Sequence, residues 1–394
     1  MKYDYDVIVI GAGAAGLFCS IEAGKRKRKT LVLDHSNKIG KKILMSGGGK
    51  CNFTNTFASY ENYLSNNPHF VKSALKRFTP WDFVELVEKY NIPYYEKTVG
   101  QLFCKNKAKD IVEMLLSECQ LANVTIKINT STSSISKSKK CFIVETKDSR
   151  LTCRSLVIAT GGLSIPTMGA TGFGYNIAKQ FHINVLPTRA ALVPFTLHNH
   201  DKETLSKLSG LSTNTKISCE NHTYFNDDIL FTHRGLSGPA ILQISTYWKP
   251  GEGIDINFTP NVDLYEEFNK KLMEKPNSEF KTFLSQFIPK KLLATLIPDQ
   301  YQELKLNSIT NSQLSNIVYK IENYKIKPNG TEGYRTAELT QGGIDCDEIS
   351  SKTMECLKVK DLYFVGEVLD VNGWLGGYNF QWAWSSGWAA GQYV

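Results

Sequence analysis

Val7-Ile8-Val9-Ile10-Gly11-Ala12-Gly13-Ala14-Ala15-Gly16 is the stretch that decides the fold. Val7 to Ile10 is a continuous apolar run rich in β-branched residues, the pattern of a parallel strand buried on both faces. It runs directly into glycines with separate steric duties. Gly11 permits a tight turn out of the strand, and Gly13 lets the backbone approach a pyrophosphate. Gly16 lets the following helix, Leu17 to about Gly24, pack closely on the sheet. Ala14 and Ala15 lie at the start of that helix, whose unpaired N–H groups and positive dipole end suit an anion. A second apolar strand, Thr30 to Leu33, ends at Asp34, 18 residues after Gly16. A dinucleotide fold places there the acid that accepts hydrogen bonds from the ribose hydroxyls. The glycines alone are weak evidence. Strand, helix, second strand and acid in this order predict a dinucleotide site, without separating FAD from NAD.

Directly downstream comes Gly40-Lys41-Lys42-Ile43-Leu44-Met45-Ser46-Gly47-Gly48-Gly49-Lys50-Cys51-Asn52. Three consecutive glycines among polar donors make a poor helix, a poor strand and a good ligand-contacting loop, with a plain surface loop as the alternative. Residues 68 to 120 read as helical from apolar spacing of three and four, as in Trp81–Val87 and Asp110–Leu116. Val124 to Arg154 reads as an antiparallel meander. It leads to Ser155–Ile158, a buried strand ending in Ala159-Thr160-Gly161-Gly162. This order is that of a glutathione-reductase-type FAD fold, α/β in class. From about Pro187 the βαβ pattern stops, and alternating segments are followed by a helical stretch at about 262–322. We therefore expect a first FAD-domain part at 1–188, a β-barrel-like and helical insert at 189–335, and a return at 336–394.

The return decides between the cofactors. Asp361 to Val365 is a strand ending in Gly366-Glu367, where FAD enzymes of this fold place an acid on the ribityl chain, usually an aspartate. Gly376-Gly377-Tyr378-Asn379 then opens a small-residue helix whose dipole would favour negative charge at the flavin N1/C2 edge. A Trp-rich core helix is the bland alternative. There is no second strand–GxGxxG–helix unit, so NAD(P)H is expected only as a transient co-substrate.

Composition narrows the class further. With 42% hydrophobic and 21% charged residues, the chain reads as an ordinary soluble globular protein. The net charge of +8 owes part of its size to the knot Lys25-Arg26-Lys27-Arg28-Lys29, which reads as a solvated turn rather than a nucleic-acid footprint. No signal peptide or membrane span is seen. Nine cysteines without CxxC spacing argue for reduced thiols in the cytoplasm, against a disulfide framework, and against a metal site or a thioredoxin-reductase dithiol. The expected partner is a small organic molecule, with no nucleic acid and no membrane.

The blocks Gly11–Gly16, Lys41–Asn55, Ala159–Pro166, Phe231–Leu242, Ala337–Ile344 and Gly377–Gly387 occur in order. Together they resemble the bacterial NAD(P)/FAD-dependent oxidoreductases that include BaiN-like flavoproteins and proteins labelled aminoacetone oxidase. The resemblance spans residues 4 to 391 and implies an FAD domain carrying an insert, with no secure substrate. Thr171-Gly172-Phe173-Gly174 also looks like the T-G-D-G of fumarate-reductase-type flavoproteins, but Phe173 replaces the acid.

With a flavin as redox centre, no catalytic triad is expected. Ser46, Lys50, Cys51, Asn52, Tyr378 and Asn379 are candidates near the ring. Cys51 reads either as a redox-active thiol or, preferably, as a small packing residue. His233 and Arg234 could face an anionic or carbonyl substrate, or belong to a turn helped by Ser237. Arg335 and Glu338 are further cleft candidates. An FAD-dependent oxidoreductase of a small substrate leads. An FAD-dependent tRNA- or other nucleic-acid-modifying enzyme and a non-catalytic flavin redox sensor are the competing readings.

Overall fold

A parallel strand buried on both faces should carry no polar side chain inward, and the first strand obeys. In the computed structural model, which describes residues 3–394, β1 (Tyr5–Ile10) buries Val7, Ile8 and Val9 completely. The turn at Gly11 leads into α1 (Ala14–Lys25), and β2 (Thr30–Leu33) pairs parallel to β1 with Ile8 beside Leu31. The lysine-rich stretch opens α2 (Lys41–Gly49), followed by β3 (Asn52–Asn55). Next come α3 (Pro80–Lys89), the hairpin β4 (Tyr94–Thr98) and β5 (Gln101–Cys104), and α4 (Lys109–Leu121). Thr79 caps α3 reciprocally with Asp82, with Pro80 in the first turn, where its missing N–H costs nothing.

The strands β6 (Thr125–Lys127), β7 (Thr132–Lys137), β8 (Phe142–Thr146) and β9 (Arg150–Ile158) correct the expected meander. Only β7, β8 and the first half of β9 are antiparallel. β6 instead joins β2 in parallel, with Val32 beside Ile126. The reason is the crossover: α4 returns the chain to the open edge of β2, where Ile126 covers one side while Thr125 and Lys127 stay exposed. The second half of β9 pairs parallel to β1, Val7 beside Ser155 and Ile10 beside Ile158. Helix α5 (Phe173–Gln180) follows.

Two units result: the chain up to Arg189 together with Leu339–Val394, and Ala190–Glu338. The second unit holds β10 (Phe195–Leu197), β11 (Ser212–Cys219), β12 (Tyr224–Phe231), β13 (Gly235–Ser237) and α6 (Pro239–Ser245). It continues with β14 (Ile254–Asn257), α7 (Leu264–Glu274), α8 (Asn311–Glu322), β15 (Tyr324–Ile326) and β16 (Pro328–Thr331). Its seven strands pair antiparallel in the open order β15–β14–β11–β12–β13–β10–β16. Between β14 and β15 the helices gather around Phe268, Phe280 and Phe283, whose rings lie about 6 Å apart.

The first unit is completed by β17 (Leu362–Phe364), parallel to β9, and by α9 (Tyr378–Gly391). The sheet order is β6–β2–β1–β9–β8–β7, with β17 also on β9. Helix α9 packs directly on α1, because a methyl group on Gly387 would stand 2.5 Å from the Ala15 carbonyl oxygen. Trp382 and Trp384 are fully buried on α9, and Trp384 stacks on Phe83 at 4.4 Å. Burying on the order of 200 Å² each, they contribute about 5 kcal/mol apiece in transfer terms. Their indole N–H groups are satisfied by the Gly366 and Phe53 carbonyls.

The basic knot is an exposed turn, as its sequence suggests, and two of its residues also find partners in the fold. Lys25 pairs with Glu22 and the buried Glu118, and Arg26 donates to the Gly391 and Val394 carbonyls at the end of α9. No helix among the described residues is long and apolar enough to cross a membrane.

Candidate functional site

The glycine turn after β1 is built around one gap. A side chain at Gly11 (φ +114) would put its Cβ 2.4 Å from the Ala159 carbonyl, and one at Gly16 would meet the Gly11 carbonyl at 2.0 Å. Gly13 is different: nothing stands within 4 Å of its missing side chain. Helix α1 has no side-chain cap and no acid in its first turn, so the leading N–H groups beside Ala14 and Ala15 lack a carboxylate partner from the chain. Asp34 is mostly buried at the end of β2. Its two oxygens accept from the Ala12 and Ser36 amides, both at 2.7 Å, so it braces the turn directly. Each oxygen keeps capacity for one further hydrogen bond.

Across the sheet, Ala159 donates to the Ile10 carbonyl, and the Thr160 hydroxyl is buried with no hydrogen-bond partner among the described residues. An orphaned buried hydroxyl calls for a partner. Gly161 (φ +71) also has open space before it, whereas a side chain on Gly162 would strike Thr340 and Glu367. The open positions Gly13 and Gly161, the orphaned Thr160 hydroxyl and the uncapped start of α1 fit a dinucleotide such as FAD.

Gly366, at the end of β17, is clasped by Ser386 and Trp382 of α9. Glu367 next to it is the centre of a compact network. Its carboxylate accepts from Lys42 Nζ at 2.6 Å, from Ser164 Oγ at 2.9 Å and from the Thr340 amide at 3.0 Å. Lys42 also donates to Ser164 Oγ at 2.7 Å. The expected acid is therefore present, but its charge is balanced within the chain. Ile165, beside Ser164, holds φ 55, an unusual conformation for a β-branched residue. Lys41 lies half-buried one residue before Lys42.

The triglycine stretch is neither helix nor slack loop. Lys41 to Met45 form a helical turn, Ser46 breaks it, and Gly47, Gly48 and Gly49 all take left-handed φ values. The side chains around it are committed to the fold. Ser46 Oγ donates to the Ile43 carbonyl, and Lys50 Nζ to the Lys105 and Asn106 carbonyls. Asn52 bridges the Thr54 and Leu102 carbonyls to the Gly377 amide. Cys51 is fully buried, and burial pushes its thiol far above the ordinary cysteine range. Such burial suits a packing residue better than a reactive thiol.

The start of α9 presents Gly376 and Gly377 in left-handed backbone, again without a side-chain cap. Asn379 does not point outward as a ligand donor; it closes its own loop by bonding the Gly373 amide and the Gly373 and Trp374 carbonyls. Tyr378 is nearly buried, with its phenol pushed up by burial and its carbonyl accepting from Tyr63 Oη.

His233 and Arg234 lie in the second unit, exposed, on the rim of a cavity of about 440 Å³ lined also by Pro194, Ser209 and Leu230. Arg234 pairs with Glu332 at 3.6 Å. Their turn is held by Thr232 Oγ1, which accepts from the Arg234 and Gly235 amides; Ser237 plays no such part. Arg335 and Glu338 are both exposed.

Residues 5–393 match the family described as the HI0933-like protein Rossmann domain. The chain belongs to that family. Its Rossmann-type FAD-binding α/β fold is the one predicted. A ribosomal RNA dihydrouridine synthase of Escherichia coli (strain K12) is 52% identical over 389 residues, covering 98% of this chain and 97% of the relative. A 3-dehydro-bile acid delta(4,6)-reductase of Clostridium scindens is 27% identical, covering 98% and 97%. Among solved structures, a 3-ketosteroid-delta4-(5alpha)-dehydrogenase from Rhodococcus jostii RHA1 covers 99% of this chain and 98% of its own, at 11% identity and a TM-score of 0.50. That likeness is one of fold.

In this HI0933-like chain, three site residues carry no local signal. Ser164, Thr340 and Asn55 are ordinary polar residues until the fold joins them to Glu367 and Gly376. All three lie in blocks already singled out, Asn55 in Lys41–Asn55, Ser164 in Ala159–Pro166 and Thr340 in Ala337–Ile344, and those blocks were the available clue.

Proposed function

We propose that this chain is an FAD-dependent reductase that saturates the C5=C6 bond of a uridine in ribosomal RNA. The observation that carries the reading is the 52% identity to a ribosomal RNA dihydrouridine synthase along nearly the whole of both chains, the second unit included. It replaces the small-molecule substrate and takes nucleic acid as partner, against the expectation drawn from the basic knot alone. FAD, when bound, supplies the two-electron centre. In this proposal the amides at the start of α1, with Gly13 leaving room, hold the pyrophosphate, and Asp34 accepts from the ribose. Thr160 and Gly161 line the same cradle, and the start of α9 at Gly376–Gly377 favours negative charge at the ring's polar edge. Lys42 and Ser164 hold the Glu367 side chain fixed beside the ribityl chain. Tyr378, the first residue of α9, is the proton donor we assign to that end of the site.

The net reaction adds one hydride and one proton to uridine, and NADH or NADPH is the proposed hydride source, leaving as the oxidised nicotinamide. The test is direct. Unmodified ribosomal RNA is incubated with purified protein and each nicotinamide, then digested to nucleosides and weighed by mass spectrometry. A uridine that gains two hydrogens is the expected result, and no gain with either donor would sink the reading. Rapid mixing with each donor separately tests the reductant: bleaching of the flavin absorbance is expected with one of them.

A second reading, reduction of a small conjugated ketone, is favoured by the 27% identity to the bile acid reductase. Turnover of enones with RNA left unchanged would select it. Turnover on any substrate would exclude a purely sensory flavoprotein.

A further inference from the structure

We infer that the β4–β5 hairpin, with Phe57 beside it, is a stacking platform for unpaired bases of the RNA substrate; the inference rests on the ribosomal RNA reading above. Soluble proteins seldom hold several large apolar side chains together in water without a use for them. Here Phe57 is 62% and Val99 76% exposed, and Tyr95 is exposed too. Phe57 and Val99 are neighbours. A methyl on Gly100 would lie 2.6 Å from the Phe57 ring, so Phe57 rests on the hairpin tip that Val99 forms. Tyr95 stacks on Phe103 of the facing strand at 5.9 Å, and Lys97 Nζ stands 5.7 Å from the same ring.

Three lysines flank the hairpin. Lys97, Lys105 and Lys107 are exposed and form no ion pair among the described residues. The carboxylates of the hairpin region are held in place, Glu96 accepting from the Gly100 amide at the tip and Glu88 from the Tyr94 hydroxyl, and both keep their charge. Ring faces interleaved with unneutralised lysines recognise a single strand, stacking on bases and attracting phosphates, with little demand on sequence. The knot at Lys25–Lys29 contains no aromatic residue, and its exposed Lys25 and Arg26 also bond to Glu118 and to the Gly391 carbonyl.

The platform is also tied to the proposed flavin cradle. Asn55 accepts from the Phe57 amide and donates to the Gly376 carbonyl at 2.9 Å. Thr56 donates to the Gly100 carbonyl, and Gln101 of the hairpin packs against Gly376. Bases stacked on Phe57 and Tyr95 would thus flank a uridine presented at the start of α9.

The test compares wild type with Phe57→Ser/Val99→Ser, with Lys97→Ala/Lys105→Ala/Lys107→Ala, and with Tyr224→Ser on the second unit, where another exposed tyrosine has Lys216 over its ring. Binding of a fluorescent single-stranded oligouridylate and of a duplex of equal length is measured against salt, alongside dihydrouridine formation in unmodified ribosomal RNA. Bound flavin per chain and melting temperature report folding. The aromatic variant is expected to weaken single-strand binding and dihydrouridine formation on the order of tenfold or more, with flavin content unchanged and Phe57→Trp restoring binding. The lysine variant is expected to lower the salt slope by about 2. Unchanged binding and turnover in both variants overturns the platform alone. So does equal binding of duplex, a larger loss in Tyr224→Ser, or a self-association that the aromatic variant abolishes. A wild type that makes no dihydrouridine overturns the ribosomal RNA reading and the platform with it.

Discussion

The glycines of Gly11–Gly16 and those of Gly47–Gly49 look alike in the sequence and have opposite surroundings in the fold. In the first group, Gly11 and Gly16 are required by the chain itself, since any side chain would collide with backbone. Only Gly13 is open. In the second group the proportion reverses. Gly47 is confined by Phe103 and the Asn52 amide, while Gly48 and Gly49 face open space in left-handed backbone. A glycine can therefore be demanded by packing, by dihedral angle or by something outside the chain, and the motif alone does not say which.

Substitution separates these cases, and the largest effect belongs to packing. Gly16→Ala and Gly11→Ala should each cost more than about 3 kcal/mol, because backbone rather than a movable side chain must yield. Thermal melting and soluble yield check this, and a well-folded Gly16→Ala protein would break the contrast. Gly13→Ala should behave in the opposite way. Its φ of −85 suits alanine, so the melting temperature should hold, while FAD affinity falls on the order of ten- to a hundredfold. Flavin titration of the apoprotein measures it. Unaltered affinity would mean that the gap at Gly13 serves no ligand.

The helices behind the two stretches differ as well, and pH exposes the difference. The far end of α1 is anchored through Lys25 to Glu118, which also accepts from Lys89 and Tyr90. Burial pushes the Glu118 carboxyl up, but the hydrogen bonds from Lys89 and Tyr90 and the charge of Lys25 outweigh it, leaving it below the ordinary glutamate range. A carboxyl lowered by folding stabilises fully above its unfolded pKa, and that stabilisation is lost as pH falls through the native value. Glu118→Gln should therefore cost about 1–2 kcal/mol near neutral pH and flatten the acid limb of stability below roughly pH 4.5. Denaturant melts across pH 3–7 decide it, and an acid limb as steep as wild type would remove Glu118 from the account. The smallest effect is expected at Gly48→Ala, about 1 kcal/mol for the left-handed angle alone, with no collision to add.

Much of the first unit was legible because its signals are local. Four β-branched or apolar residues, glycines at set spacing and an acid at the next strand end act within 35 residues, and each has its own steric or electrostatic reason. Where the readings went astray, a distant partner intervened. β6 left the expected meander because β2 offered an open edge, and Asn379 turned inward because the Gly373 backbone had groups to satisfy. The exposed Lys25 and Arg26 gain partners no local pattern announces, in Glu118 and the end of α9.

By itself, the sequence determined the α/β class, the dinucleotide turn at Gly11–Gly16 and the acid at Asp34, since strand burial, turn geometry and helix start are set by residues a few positions apart. Only the tertiary structure decided which glycine is open, that the Thr160 hydroxyl is left without a partner, and that Lys42, Ser164, Thr340 and Glu367 form one network. Those contacts span up to 325 positions and exist because β9 and β17 pair in register beside β1. Such proximity is created by sheet pairing and burial, and no local pattern of side chains encodes it.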